Sequence, residues 1–190
     1  MSVTTEQFVA AFRIAANRHR MGDAVVENWR WLDKESKQRD ERHVPPSGQV
    51  TTEDLTRVSQ RVLFEVADLL GLDVTWECPP TGDSSKRLDA VLFQSSTRRI
   101  EVAWEHESLR ECCDDEIGRL RSYQAPLSVL VTYLCPYKTK TDSALEWLHK
   151  YKSWFEQAPV DDRAFLVIFA TVAGGWEFYQ YRPDGFQRLL

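Results

Sequence analysis

The hydrophobic positions of this chain change period several times, and each change marks a predicted element. Residues 5 to 40 read as helical, in two helices broken near Met21-Gly22-Asp23, where glycine stops the first and aspartate caps the second. The second helix carries Val25, Val26, Trp29 and Leu32 at helical spacing, then runs into a charged stretch, 33–42, expected as a solvated tail. His43-Val44-Pro45-Pro46-Ser47-Gly48 is a breaker cluster and the best linker candidate. A strong helix follows, with Thr51 or Thr52 as its cap and acids in its first turn to suit the helix dipole. Its Leu55, Val58, Val62, Val66, Leu69 and Leu70 recur three or four apart, one apolar stripe that should lie on a sheet until Gly71 ends the helix.

After Gly71 the period drops to two. Leu72, Val74 and Trp76 alternate with Asp73, Thr75 and Glu77, a half-buried strand closed by Pro79-Pro80. Strands over about 88–93 and 98–105 follow, joined by the turn-like Gln94-Ser95-Ser96-Thr97. A helix over about 108–124 leads to a β-branched strand at 127–134, a passage long enough for a crossover. An amphipathic helix at 143–157, a strand at 164–172, the turn Gly174-Gly175 and a last strand at 176–181 complete the reading. The fold class expected is α/β: a mixed central sheet flanked by helices. An N-terminal helical extension, 1–45, precedes an α/β domain over 51–190, and the two are packed as one domain.

Composition narrows the class. A chain of 190 residues with 43% hydrophobic and 28% charged positions can bury one sizeable core, which excludes disorder. No apolar run approaches the roughly 20 residues needed to cross a bilayer, and residues 1–6 lack a signal-peptide pattern, so no membrane and a cytoplasmic location are expected. Cys78, Cys112, Cys113 and Cys135 contain no CxxC pair and suit reduced, mostly buried thiols better than a disulfide framework. The net charge of −5 speaks against binding nucleic acid through the whole surface, while leaving room for a local basic rim.

Candidate chemistry lies on the central hairpin. Alternation gives Leu88, Ala90 and Leu92 one parity, matched by Ile100, Val102 and Trp104, as a shared buried face. The other face collects Asp89, Val91 and Phe93 with Glu101, Ala103 and Glu105. A three-residue turn sets Asp89 opposite Glu101; a five-residue turn sets it opposite Ala103, with Glu101 and Glu105 as diagonal neighbours roughly 7–8 Å away. Gathered acids repel unless exposure, protonation or a bound cation offsets the charge, and a hard divalent ion with oxygen ligands is the natural offset. Mg²⁺, or Mn²⁺ in its place, held by carboxylates suits phosphodiester hydrolysis.

Arg87-Leu88-Asp89-Ala90-Val91-Leu92-Phe93 followed by Arg99-Ile100-Glu101-Val102-Ala103 resembles the restriction-endonuclease-like, or PD-(D/E)xK, nuclease core. The resemblance covers about 51–134 and implies an αβββαβ core in which Asp89 and Glu101 bind metal. It also implies a lysine two residues after the glutamate, where this chain has Ala103. Glu105-His106-Glu107 offers an ExE version, with Glu105 as metal ligand and Glu107 in the lysine position. By the same resemblance Glu65, from the preceding helix, is a further ligand candidate. Arg87 has the parity to meet phosphate, whereas Lys86 falls on the opposite face. His106 is a candidate ligand or proton acceptor, set against the reading of an ordinary surface histidine.

Seven tryptophans are many for this length: Trp76, Trp104 and Trp147 fit a core, and Trp29, Trp31, Trp154 and Trp176 either pack or stack bases. Glu111, Asp114, Asp115 and Glu116 read as a solvated helix face. The function implied is a metal-dependent nuclease with nucleic acid as partner, DNA ahead of RNA. The alternative is a catalytically inactive nuclease-fold protein serving as a binding or regulatory module. A protein partner or a second copy of the chain stays open.

Overall fold

The computed structural model describes residues 2–28, 52–78, 87–107, 113–134, 144–157, 163–171 and 173–190. Helix α1 (Thr5–Arg18) begins with a capping box, in which the Thr4 side chain accepts from the Gln7 N–H and the Gln7 side chain accepts from the Thr4 N–H. It stops at His19 and Arg20, the latter in the left-handed region at φ +51. Helical structure resumes over 21–28. The break therefore falls before Met21, not at Gly22. Gly22 serves packing instead: a Cβ added there would stand 2.0 Å from the Gly174 carbonyl oxygen, so only glycine permits this approach. The charged stretch 33–42 and the proline-rich linker lie outside the described residues.

Helix α2 (Thr52–Leu70) leads into strands β1 (Asp73–Cys78), β2 (Leu88–Phe93) and β3 (Ile100–His106). Helix α3 (Cys113–Ser122), β4 (Leu127–Tyr133), α4 (Ala144–Gln157), β5 (Ala164–Ala170), β6 (Trp176–Arg182) and β7 (Gly185–Leu189) follow. The seven strands form one mixed sheet in chain order, β1 to β7. Pairing is antiparallel from β1 to β3, parallel from β3 to β5, and antiparallel again to β7. The α/β class and the αβββαβ succession over α2 to β4 match the expectation. Strand β7 was not expected; Pro183-Asp184-Gly185, a turn sequence, reverses the chain into it.

Both sheet faces are covered. On one, α1 and α2 place Phe8, Phe12, Val62 and Val66 against Ala90, Leu92, Val102, Trp104 and Phe178. On the other, α3 and α4 place Ile117, Leu120, Leu148 and Phe155 against Val91, Phe93, Ala103 and Leu130. The hairpin's second face is thus a second apolar layer, and only its end stays polar. Leu88 and Ile100, expected with Trp104, join this second layer. For Ile100 the cause is a bulge: Leu92 pairs with Val102 but Phe93 pairs with Ile100, so Glu101 is an extra residue and the parity of β3 changes there. On α2, Leu69 is exposed and Leu63 and Ala67 take buried places instead, rotating the stripe slightly from the expected one. No helix among the described residues is long and apolar enough to cross a membrane.

Candidate functional site

With Ala90 paired to Trp104, the next step along the two antiparallel strands sets Asp89 beside Glu105. Asp89 Oδ2 accepts a hydrogen bond of 2.8 Å from the His106 backbone N–H, which holds its carboxyl against the end of β3. Glu105 is 1% exposed and its Oε1 accepts from Arg119 Nε of α3 at 2.9 Å. The two carboxyls lie close enough for the charge of Asp89 to act on Glu105. Burial and then the charge of Asp89 push Glu105 up to about 8, against the opposing pull of Arg119. Asp89 opens onto solvent, but crowding by the surrounding chain still raises its carboxyl, with the His106 N–H opposing and the charge of Glu107 adding to the rise. Near neutral pH Glu105 therefore favours its protonated form. Glu107 follows Glu105 by two residues, and its N–H donates to the Val131 carbonyl, fixing it where β3 leaves β4.

The other expected site residues go elsewhere. Bulged Glu101 is fully buried, accepting from Arg99 Nε at 2.7 Å and from the Val3 N–H at 3.3 Å. It ties the segment before α1 to the sheet. It lies four residues from Glu105, roughly 13 Å along a strand, and the structure does not bring it to Asp89. Glu65 pairs with Arg18 and, at 2.8 Å, with His19 Nε2 of the α1 end, so it links two helices and does not join the carboxylate pair. Arg87 is exposed, its Nη1 3.6 Å from Glu77 Oε2, and Lys86 lies outside the described residues. No family model matches the chain, and no curated protein matches it.

His106 is half-buried, not fully exposed. Its ring hydrogen-bonds the Tyr133 hydroxyl of β4, and burial lowers it to about 4, so it stays neutral. Burial likewise raises Tyr133. Sequence reasoning missed Arg119, although its spacing from Glu116 was the available signal: the two form an i,i+3 ion pair. Glu116 is accordingly buried rather than solvated. Also unforeseen is a cavity of about 480 Å³ beside Asp89. Trp76 and Glu77 of β1 and Trp104 and His106 of β3 form its floor, and Thr56, Ser59 and Gln60 of α2 form its roof. Glu77 takes φ +49, a strained conformation for a side-chain-bearing residue at the cavity rim.

The donor set fits a hard cation. Two adjoining carboxyls that must keep a proton to coexist form a place where a divalent ion would relieve the repulsion, and Mg²⁺ commonly takes one or two carboxylates with water and phosphate. Among the described residues no group of three or more His, Cys, Asp or Glu side chains is placed to hold an ion. Asp89 and Glu105 would be the protein's ligands.

The pair also sets a pH dependence. Glu105 titrates near 4.5 when unfolded and near 8 when folded. Between these values the native state keeps a proton that the unfolded state has lost, so stability falls as pH rises. His106 moves from 6.5 to about 4 on folding. Over that interval the native state holds fewer protons, and stability rises with pH. The slopes oppose each other below about pH 6.5 and only that of Glu105 persists above. Metal-free stability should fall more steeply with pH above about 6.5 than below it, by roughly 2 kcal/mol between pH 6.5 and 8. Urea melts across this range check it: Glu105→Gln should abolish the drop, and a level wild-type profile above pH 6.5 would show Glu105 ionised throughout.

Proposed function

We propose that this chain is a metal-dependent nuclease of the restriction-endonuclease-like class, hydrolysing phosphodiester bonds of DNA or RNA, with Asp89 and Glu105 as the Mg²⁺ or Mn²⁺ ligands. The observation that carries the reading is the meeting of Asp89 and Glu105 at the open end of the β2–β3 pair, with Glu107 two residues beyond. This is the ExE version of the resemblance, displaced along β3 from Glu101. The αβββαβ succession with its parallel β3–β4 pair supports it as well.

Each residue has a task that its surroundings suit. The His106 N–H and Arg119 fix the two metal-binding carboxyls before any substrate arrives, so little reorganisation is needed at the moment of reaction. When bound, the ion supplies Lewis-acid stabilisation of the phosphate charge. Glu107 accepts a proton from the attacking water as the water oxygen bonds to phosphorus; the bond to the leaving sugar oxygen breaks and that oxygen is protonated from solvent. Exposed Arg87 meets a neighbouring phosphate.

The test is direct. The purified chain with Mg²⁺ or Mn²⁺ should cleave at least one of single- or double-stranded DNA or RNA, and either ion should raise the melting temperature by binding only the folded state. Asp89→Asn should cancel the melting shift. Absence of cleavage together with unchanged melting would favour a binding or regulatory module of the same fold. One feature favours that second reading: Ala103, where the resemblance places lysine, is fully buried in the apolar layer.

A further inference from the structure

We infer that the cavity beside Asp89 receives the base of an unpaired nucleotide, making the preferred substrate single-stranded or frayed nucleic acid rather than closed duplex. The inference rests on the nuclease reading and adds the substrate's form to it. The cavity, about 480 Å³, shares Asp89 with the carboxyl pair, so a group seated in it lies next to the scissile phosphate.

Its walls suit a flat heterocycle. Half-buried Trp76 is held edge-on by Phe64 at 5.4 Å, whereas Trp104 is 1% exposed, its ring packed on Phe8 and Phe12 at 6.1 and 6.2 Å. The pinned Trp76 indole offers a rigid surface, and base stacking on an aromatic tolerates any base. Above this floor Thr56, Ser59 and Gln60 present hydroxyls and an amide, groups that pair with the polar edge of a base.

Charge decides which part of a nucleotide enters. Among the described lining residues none is Lys or Arg, and two, Glu77 and Asp89, are acids. A phosphate would be repelled from this space, whereas the exposed Arg87 lies outside it, 3.6 Å from Glu77. The uncharged base goes in and the backbone stays at the rim. A base in a closed duplex reaches such a space only by leaving its stack, at a cost of a few kcal/mol that an unpaired base does not bear.

Binding of a fluorescein-labelled single-stranded DNA oligonucleotide, its RNA counterpart and the blunt DNA duplex tests this, in EDTA to prevent cleavage and then in Mg²⁺ with cleavage followed. Single strands should bind at least about tenfold more tightly than duplex and quench tryptophan fluorescence, in keeping with one stacked base. Ser59→Leu, which fills the cavity, should remove most of that preference while duplex binding changes by less than about twofold. Because Ser59 is buried, exposed Gln60→Ala is the companion variant, and melting curves verify that both fold. Equal affinity for both forms, no binding of either, or an unchanged preference in both variants would overturn the inference. Cleavage that persists without strand preference would overturn the cavity assignment and leave the nuclease reading standing. Cavity-dependent binding without cleavage would overturn the nuclease reading alone.

Discussion

Asp89→Asn and Glu105→Gln should each lower metal-dependent cleavage by at least about 10³-fold, while Glu101→Gln should leave kcat close to wild type. The first two remove charge from the proposed ligands without removing volume, and the Lewis-acid contribution at stake is several kcal/mol, about tenfold for each 1.4 kcal/mol. Neither should unfold the protein, since the amide oxygen that replaces each carboxylate can still accept, from the His106 N–H in the first variant and from Arg119 in the second. Glu101→Gln tests the bulge: it weakens a buried, charge-assisted contact to Arg99 and should cost about 1–3 kcal/mol of stability instead of activity. Glu107→Gln should lose about 10²- to 10⁴-fold in kcat, as for a general base. Steady-state kinetics on the best substrate beside urea melts separates these outcomes. A Glu101→Gln enzyme that is stable and inactive would return the metal site to Glu101.

Truncating Trp104 to Ala should cost about 3–5 kcal/mol, the range for large core aromatics. The ring is 1% exposed and packs on Phe8 and Phe12 of α1, so its loss removes contacts to the sheet and to the N-terminal helix together. Because the residue also floors the cavity, the void left behind adjoins open space, and single-strand binding should weaken alongside. A cost below about 1.5 kcal/mol, measured by urea unfolding, would mean that α1 is not seated on this ring.

Local periodicity read well from the residues. The alternation of β1 and β2, the apolar runs of β4 and β5 and the stripe of α2 each follow from side chains meeting one sheet. Register did not read as well, because it depends on a bulge. Nothing in Arg99-Ile100-Glu101-Val102 announces that one residue will be extra; that residue, together with the six residues between paired Phe93 and Ile100, carries Asp89 past Glu101 and Ala103 to Glu105. Partners distant in sequence were equally hidden. Glu65 looked available until α1 brought Arg18 and His19 to it, and Glu116 looked solvated until Arg119 joined it to Glu105. Asp89 and the Glu105-x-Glu107 spacing were visible as chemistry; which acid meets Asp89 was a question of geometry.

The sheet's strand order has a consequence for synthesis. With β1 to β7 side by side in chain order, each strand can pair as it emerges with the one made just before it. Helix α1 departs from that order: Phe12 closes on Trp176 and Phe178 of β6, at 5.1 and 5.9 Å, and Gly22 abuts Gly174. Helix α1 is made before all of these strands and must therefore keep its apolar face without these partners until β6 has followed, an interval in which a nascent protein is exposed to aggregation.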